Sequence, residues 1–93
     1  MASEVLLSTV KLERKKGIFH CDTTKGQFSI YLPLPNINSS SEDILTFIKT
    51  SSDSNQITIW GQLPNDSDFI VFGRTVKKVT LSCKDGLWQC KND

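Results

Sequence analysis

Short segments of alternating apolar and polar residues recur along almost the whole chain, with turn-forming residues between them. The clearest of them is residues 27–34, in which one face carries Phe28, Ile30, Leu32 and Leu34. A period of two residues is typical of a half-buried β-strand. Because proline donates no hydrogen bond to a strand ladder, Pro33 and Pro35 predict that pairing ends there or becomes one-sided.

Six further segments carry strand signals: residues 6–12, 17–21, 56–61, 69–72, 78–83 and 87–90. The first three strands of the chain are expected to form a meander. The last two flank Asp85-Gly86, a strong two-residue hairpin signal, which predicts that Cys83 faces Trp88. Residues 69–72 are apolar on both faces, so we expect a central strand or one covered by a helix.

One segment predicts a helix instead, at residues 39–50. Ser39 and Glu42 have the spacing of a capping box, and Asp43 adds a negative charge to the first turn. The apolar residues that follow, namely Ile44, Leu45, Phe47 and Ile48, would share one helical face. Turn-forming residues from Thr50 onward then predict that the helix is short.

This element order predicts a mainly β, α+β fold in a single β-rich domain over residues 1–93. We expect a small β-barrel or roll of about seven strands with one short helix after the third strand. The oligonucleotide-binding barrel also has its helix between the third and fourth strands, so its element order is compatible with this chain. Fold analogy alone carries no function.

Composition places the chain among globular proteins, with 38% hydrophobic and 23% charged residues. The longest apolar run is Phe69 to Phe72, far short of a membrane helix, and the first residues lack the pattern of a signal peptide. We therefore expect a cytoplasmic protein without a membrane partner. The net charge of +1 provides no global field for nucleic acid or anionic lipid.

The charges are nevertheless segregated along the sequence. Basic residues dominate 11–25 and 74–91, and acidic residues dominate the stretch between them. If the two basic segments came together, they would form one basic face with these candidate nucleic-acid contacts: Arg14, Lys15, Lys16, Arg74, Lys77 and Lys78. The alternative is that these lysines occupy turns and strand edges, where they discourage edge pairing.

Three cysteines, an odd number, favour reduced thiols. The predicted hairpin register makes Cys83 and Cys90 diagonal neighbours, beyond comfortable bridging distance. His20 and Cys21 alternate to opposite faces of one strand, which disfavours a metal site that uses both. His20 with Cys21 or Cys83 is the only candidate nucleophile–base pair, and nothing in the sequence fixes the proximity of its members. We expect no catalytic residues, no metal and no cofactor, and thus no enzyme.

Candidate binding residues lie opposite the aliphatic faces of two strands. Tyr31 and Trp60 are aromatic residues that supply contact area at low entropic cost, and Pro33 and Pro35 flank the first of them. They indicate a non-enzymatic protein-interaction module: an adaptor, an assembly factor or a small inhibitor of the size that viruses and phages encode. The alternative is a single-stranded nucleic-acid module in which the two rings stack on bases. Two copies can also pair through strand edges.

Overall fold

A computed structural model describes residues 3–14, 16–34, 44–64, 68–84 and 86–91. Within these ranges the chain forms nine strands and no helix. The strands are β1 Ser3–Leu6, β2 Val10–Lys11, β3 Gly17–Cys21, β4 Phe28–Tyr31, β5 Ile44–Lys49, β6 Ile57–Trp60, β7 Phe69–Phe72, β8 Lys78–Lys84 and β9 Leu87–Lys91. They form two mixed sheets with the strand orders β1-β3-β5-β8-β9 (sheet A) and β2-β4-β6-β7 (sheet B). Neither sheet closes on itself, so the expected barrel is wrong.

The first six strands alternate between the two sheets. β1, β3 and β5 lie parallel in sheet A, while β2, β4 and β6 lie parallel in sheet B. The expected meander of the first three strands is therefore wrong, because consecutive strands in this part of the chain lie in different sheets. Its first strand is in fact two strands, since Leu7, Ser8 and Thr9 carry the chain from one sheet to the other. The last three strands return antiparallel to their neighbours.

The core lies between the inner faces of the two sheets. The fully buried side chains include Phe19, Ile30, Leu45, Phe47, Ile57, Ile59, Leu81 and Trp88. Phe19 and Phe47 stack with ring centroids 5.4 Å apart. The Trp88 Nε1 donates a hydrogen bond of 2.8 Å to the Pro33 carbonyl, which joins sheet A to the segment after β4. Burial of these side chains in two facing layers is the main source of stability.

The prediction of a helix at residues 39–50 is wrong in the part of this segment that the structure describes, because Ile44–Lys49 is strand β5. β5 lies between β3 and β8, and both neighbours hydrogen-bond along its length. Its inward residues are Leu45, Phe47 and Lys49. A lysine in the third inward position hides the alternating pattern, while the apolar residues that remain also fit a helical face. The capping-box residues lie outside the described residues.

The hairpin at the end of the chain is confirmed. Strands β8 and β9 pair in the expected register, with Cys83 opposite Trp88 and Leu81 opposite Cys90. Gly86 has a φ of 76°, the left-handed conformation that a tight hairpin turn requires.

All three cysteines are free. No helix in the described ranges is long and apolar enough to span a membrane.

The apolar strand Phe69–Phe72 occupies a different place from the one expected. It is β7, the last strand of sheet B, and only β6 pairs with it. Phe72 points into the core, but Phe69 and Val71 are each nearly half exposed. The apolar outward residues had indicated a covered strand, yet no described element covers them.

Candidate binding face

Three aromatic side chains form a row across the outer face of sheet B. Tyr31, Trp60 and Phe69 are paired positions on β4, β6 and β7, so the sheet register brings them side by side. The ring centroids of Tyr31 and Trp60 are 6.3 Å apart, and those of Trp60 and Phe69 are 4.9 Å apart. We call these three residues the aromatic row. Its two outer members are 45% and 49% exposed, so the row presents apolar surface to solvent.

A groove of about 600 Å³ adjoins the aromatic row. Its apolar wall includes Tyr31, Pro33, Leu34 and Trp60, and its charged rim carries Lys11 and Glu13. Leu34 is 72% exposed, the largest exposed fraction among the large apolar residues described. An exposed apolar patch with a polar rim is typical of a surface that binds a partner.

Trp60 is only half-buried, but its Nε1 is covered and has no hydrogen-bond acceptor among the described residues. Most buried indole N–H groups in proteins have an acceptor. Within the described part of the chain, this donor is therefore a buried polar group without a hydrogen-bond partner.

The structure places the predicted binding residues as follows. Tyr31, Pro33 and Trp60 lie together, and Pro35 is outside the described residues. One further member of the same surface, Phe69, was not predicted from the sequence. Leu34, between the two prolines, also lies on this surface, because the strand that precedes it ends at Tyr31.

The predicted basic residues fall at opposite ends of the two sheets. Arg14 lies in the connection that leads into the start of β3 and forms an exposed ion pair with Glu4. Lys16 directly precedes β3, and Lys15 is outside the described residues. Arg74, Lys77 and Lys78 lie where β7 ends and β8 begins, which is next to the end of β3 rather than its start. The described residues of the two basic segments therefore do not form a common patch.

A buried lysine, Lys49, lies at the same end of the molecule as Arg74, Lys77 and Lys78. The Lys49 side chain is fully buried, and its Nζ donates to the backbone carbonyls of Asp53 (2.6 Å), Asn55 (2.6 Å) and Gly73 (2.8 Å). The Asp53 Oδ1 lies 3.3 Å from the same nitrogen. A buried ammonium is tolerated only when it is paired and hydrogen-bonded, and this one meets both conditions. We call these residues, together with Thr23, the Lys49 network.

The Asp53 carboxylate has further donors. Thr23 Oγ1 donates to Oδ1 at 2.5 Å, and the Asn55 N–H donates to it at 3.0 Å. The hydrogen bond from Thr23 is the main cause that lowers the pKa of Asp53 far below its usual value, and Ser51 and Lys49 lower it further. The Asn55 side chain donates in turn to the Thr23 carbonyl at 2.8 Å. The network therefore joins the β3–β4, β5–β6 and β7–β8 connections.

The only histidine of the chain is separated from the buried thiols. Cys21 points into the core, and burial raises its pKa to about 12, so its thiol is a poor nucleophile. His20 lies on the opposite face of the same strand, as the sequence predicted. Cys83 is also buried in the core. Among the residues that the structure describes, no three His, Cys, Asp or Glu side chains are grouped as metal ligands would be.

Comparison with known proteins adds no constraint on this surface, since no protein-family model matches the chain and no curated protein is detectably similar to it.

Proposed function

We propose that the chain is a non-enzymatic protein-interaction module, an adaptor, assembly factor or small inhibitor, that binds its partner through the outer face of sheet B. The aromatic row carries this proposal. Three neighbouring aromatic side chains, two of them nearly half exposed, concentrate rigid apolar area in one place. Residues of this type dominate the binding energy of protein interfaces.

The surroundings of the row support a protein partner. The adjoining groove is apolar, and Lys11 and Glu13 give its rim one charge of each sign. A balanced rim suits the surface of another protein, for which charges fix orientation more than affinity. We place this interaction in the cytoplasm, because the free thiols of Cys83 and Cys90 suit a reducing compartment.

The alternative function, binding of single-stranded nucleic acid, uses the same rings as a stacking platform. It also needs cations that follow the phosphate backbone. Of the predicted contacts, Arg14 is paired with Glu4, and Arg74, Lys77 and Lys78 lie at the far end of the sheets. The protein-binding proposal does not need these residues, so it is the better supported of the two.

The test compares two exposed apolar residues at opposite ends of the molecule. Tyr31→Ser removes the ring at one end of the aromatic row, and Val76→Ser removes a side chain of similar exposure, 52%, from the β7–β8 connection. A partner captured from cell extract by the wild-type protein should bind Val76→Ser equally well. Its affinity for Tyr31→Ser, measured with both proteins purified, should fall at least about tenfold. Equal affinity for both variants would reject this face.

Titration of fluorescent single-stranded oligonucleotides at low and high salt tests the alternative. Binding that weakens with salt and is lost in Trp60→Ala would replace the protein-binding proposal with the nucleic-acid one. We expect no binding even at low salt.

A further inference from the structure

The two sheets have four edge strands, and three of them are protected. β2 has only two residues, and the β1 edge carries Glu4, which is ion-paired with Arg14. On β9 the Trp88 N–H donates to the Gln62 carbonyl at 2.8 Å, so the β6–β7 connection covers part of that edge. Short length, charge and covering loops are the devices by which proteins prevent edge pairing.

β7 has none of these devices. Its sequence is Phe-Ile-Val-Phe, without charge or proline, and β6 is the only described strand that pairs with it. An apolar edge strand with unpaired backbone groups is a template for another strand. Among the edge strands that the structure describes, β7 is therefore the unprotected one.

The register shows which backbone groups of β7 are unpaired. The Gly61 N–H donates to the Asp68 carbonyl at 3.1 Å, so Asp68 is hydrogen-bonded toward β6, and in an antiparallel ladder so are Ile70 and Phe72. The alternate residues, Phe69 and Val71, then direct their N–H and carbonyl groups away from the sheet. Neither makes another hydrogen bond with the described residues.

We propose that two copies of this chain pair through β7, antiparallel about a twofold axis at Ile70. In this register Phe69 of each copy exchanges two hydrogen bonds with Val71 of the other, which uses all the unpaired groups of both edges. The outer face then gains two Phe–Val cross-strand pairs, and the two Ile70 side chains meet at the axis on the core side. Aromatic and β-branched residues are favourable cross-strand partners. The two copies of sheet B become one sheet of eight strands.

The charges that flank β7 favour the same arrangement. Asp68 precedes the strand and Arg74 follows it, and both are exposed. Antiparallel pairing brings Asp68 of one copy to the end of the interface where Arg74 of the other lies, whereas parallel pairing would place like charges together. A second copy is thus complementary to this edge in backbone groups, apolar side chains and charge. The dimer uses only Phe69 of the aromatic row, and the groove at Pro33 and Leu34 takes no part in it, so the inference does not depend on the proposed protein partner.

Sedimentation velocity from low micromolar to near-millimolar concentration tests the pairing. We expect a weak monomer–dimer equilibrium, since a four-residue strand buries less surface than a standard interface. Val71→Pro removes an edge N–H that pairs with none of the described residues, so the fold should survive it. It should raise the dimer dissociation constant at least about tenfold. The control Val5→Lys changes an exposed valine on the β1 edge and should leave dimerisation unchanged.

A disulfide at the axis gives an independent test that needs no tight dimer. With Cys90→Ser as background, Ile70→Cys should form a disulfide-linked dimer under mild oxidation, because facing residues of a non-hydrogen-bonded pair are close enough to bridge. Val5→Cys in the same background should not. A protein that stays monomeric throughout and does not cross-link through Ile70→Cys would overturn the proposal. So would a dimer that survives Val71→Pro but is lost in Tyr31→Ser, since it would pair through the aromatic row.

Discussion

The Lys49 network and the aromatic row lie at opposite ends of the strands. They differ in how completely the chain pairs their polar groups and buries their apolar groups. In the network, a buried ammonium has three carbonyl acceptors and a carboxylate, and that carboxylate has donors of its own. In the aromatic row, two rings are nearly half exposed and the covered Trp60 Nε1 has no acceptor in the described part of the chain.

The difference indicates which region contributes to the stability of the fold and which region is available to bind a partner. Polar groups that are fully paired inside a protein contribute to the fold but have nothing left for a partner. Exposed apolar area, by contrast, is removed from water only when another molecule covers it. We therefore expect substitutions in the network to change stability, and substitutions in the row to change binding.

The largest effect is expected from Lys49→Met. It leaves three carbonyls and the Asp53 carboxylate without their buried cation, so the free energy of unfolding should fall by about 3–5 kcal/mol. Denaturant titration measures this loss. Lys77→Met is the matched control, because the exposed Lys77 also donates to the Gly73 carbonyl, at 3.1 Å, and should cost less than about 1 kcal/mol. Equal costs would mean that burial of Lys49 is unimportant.

Gly73→Ala should have the next largest effect. Gly73 has a φ of 122°, and an added Cβ would lie 3.1 Å from the Asn55 carbonyl oxygen and 3.3 Å from the Lys49 side chain. Gly26 has a similar φ of 130° but open space around it, so Gly26→Ala isolates the backbone strain, about 1–2 kcal/mol. We expect thermal unfolding to show the greater loss for Gly73→Ala. If the two alanine variants were equally stable, the network would not be tightly packed.

Acid should weaken the network through Asp53. Its pKa is lower in the folded than in the unfolded protein, so its ionised form stabilises the fold above about pH 4, and this contribution is lost as the pH falls further. Stability measured between neutral pH and about pH 2 should therefore decline less in Asp53→Asn than in the wild type. Asp22→Asn is the comparison, because the pKa of Asp22 is lowered mainly by hydrogen bonds from Thr24 and further by the charge of Lys25, both within a local turn. A steeper acid dependence in Asp53→Asn than in the wild type would contradict the assigned role.

The smallest effect on stability is expected at the binding face. Leu34→Ala should change the free energy of unfolding by no more than about 0.5 kcal/mol, because its side chain is already in solvent. Leu32, two residues earlier, is 9% exposed and packs against Gly61, so Leu32→Ala should cost about 2–4 kcal/mol. Chemical denaturation of both variants would show whether the chain leaves sheet B between Leu32 and Leu34, as it does in the structure. A large cost at Leu34 would mean that it is core rather than binding surface.

Local patterns in the sequence predicted some features well. The Asp85-Gly86 turn determines the β8–β9 register, because a two-residue loop allows only one alignment of its strands. Alternation along β4 and β6 correctly placed Ile30 and Ile59 inside and the two aromatic residues outside. Two of the three residues of the aromatic row were therefore visible in the sequence, although their contact was not.

Other features depended on neighbours far along the chain. β5 resembles a helix in isolation, and becomes a strand because β3 and β8 both pair with it. Phe69 resembles a buried residue, and is exposed because β7 lies at an edge. No sequence pattern singled out Lys49, since the carbonyls around it come from separate connections.

By itself, the sequence determined a strand-rich chain, most of its segments, its inward faces and its final hairpin. These follow from a period of two residues and from turn chemistry, which act over only a few residues. Only the tertiary structure decided which strands are neighbours, which edge is unprotected and which side chains meet in the aromatic row and the Lys49 network. Those outcomes follow from packing between segments tens of residues apart, and a local pattern carries no information about the partner it will find.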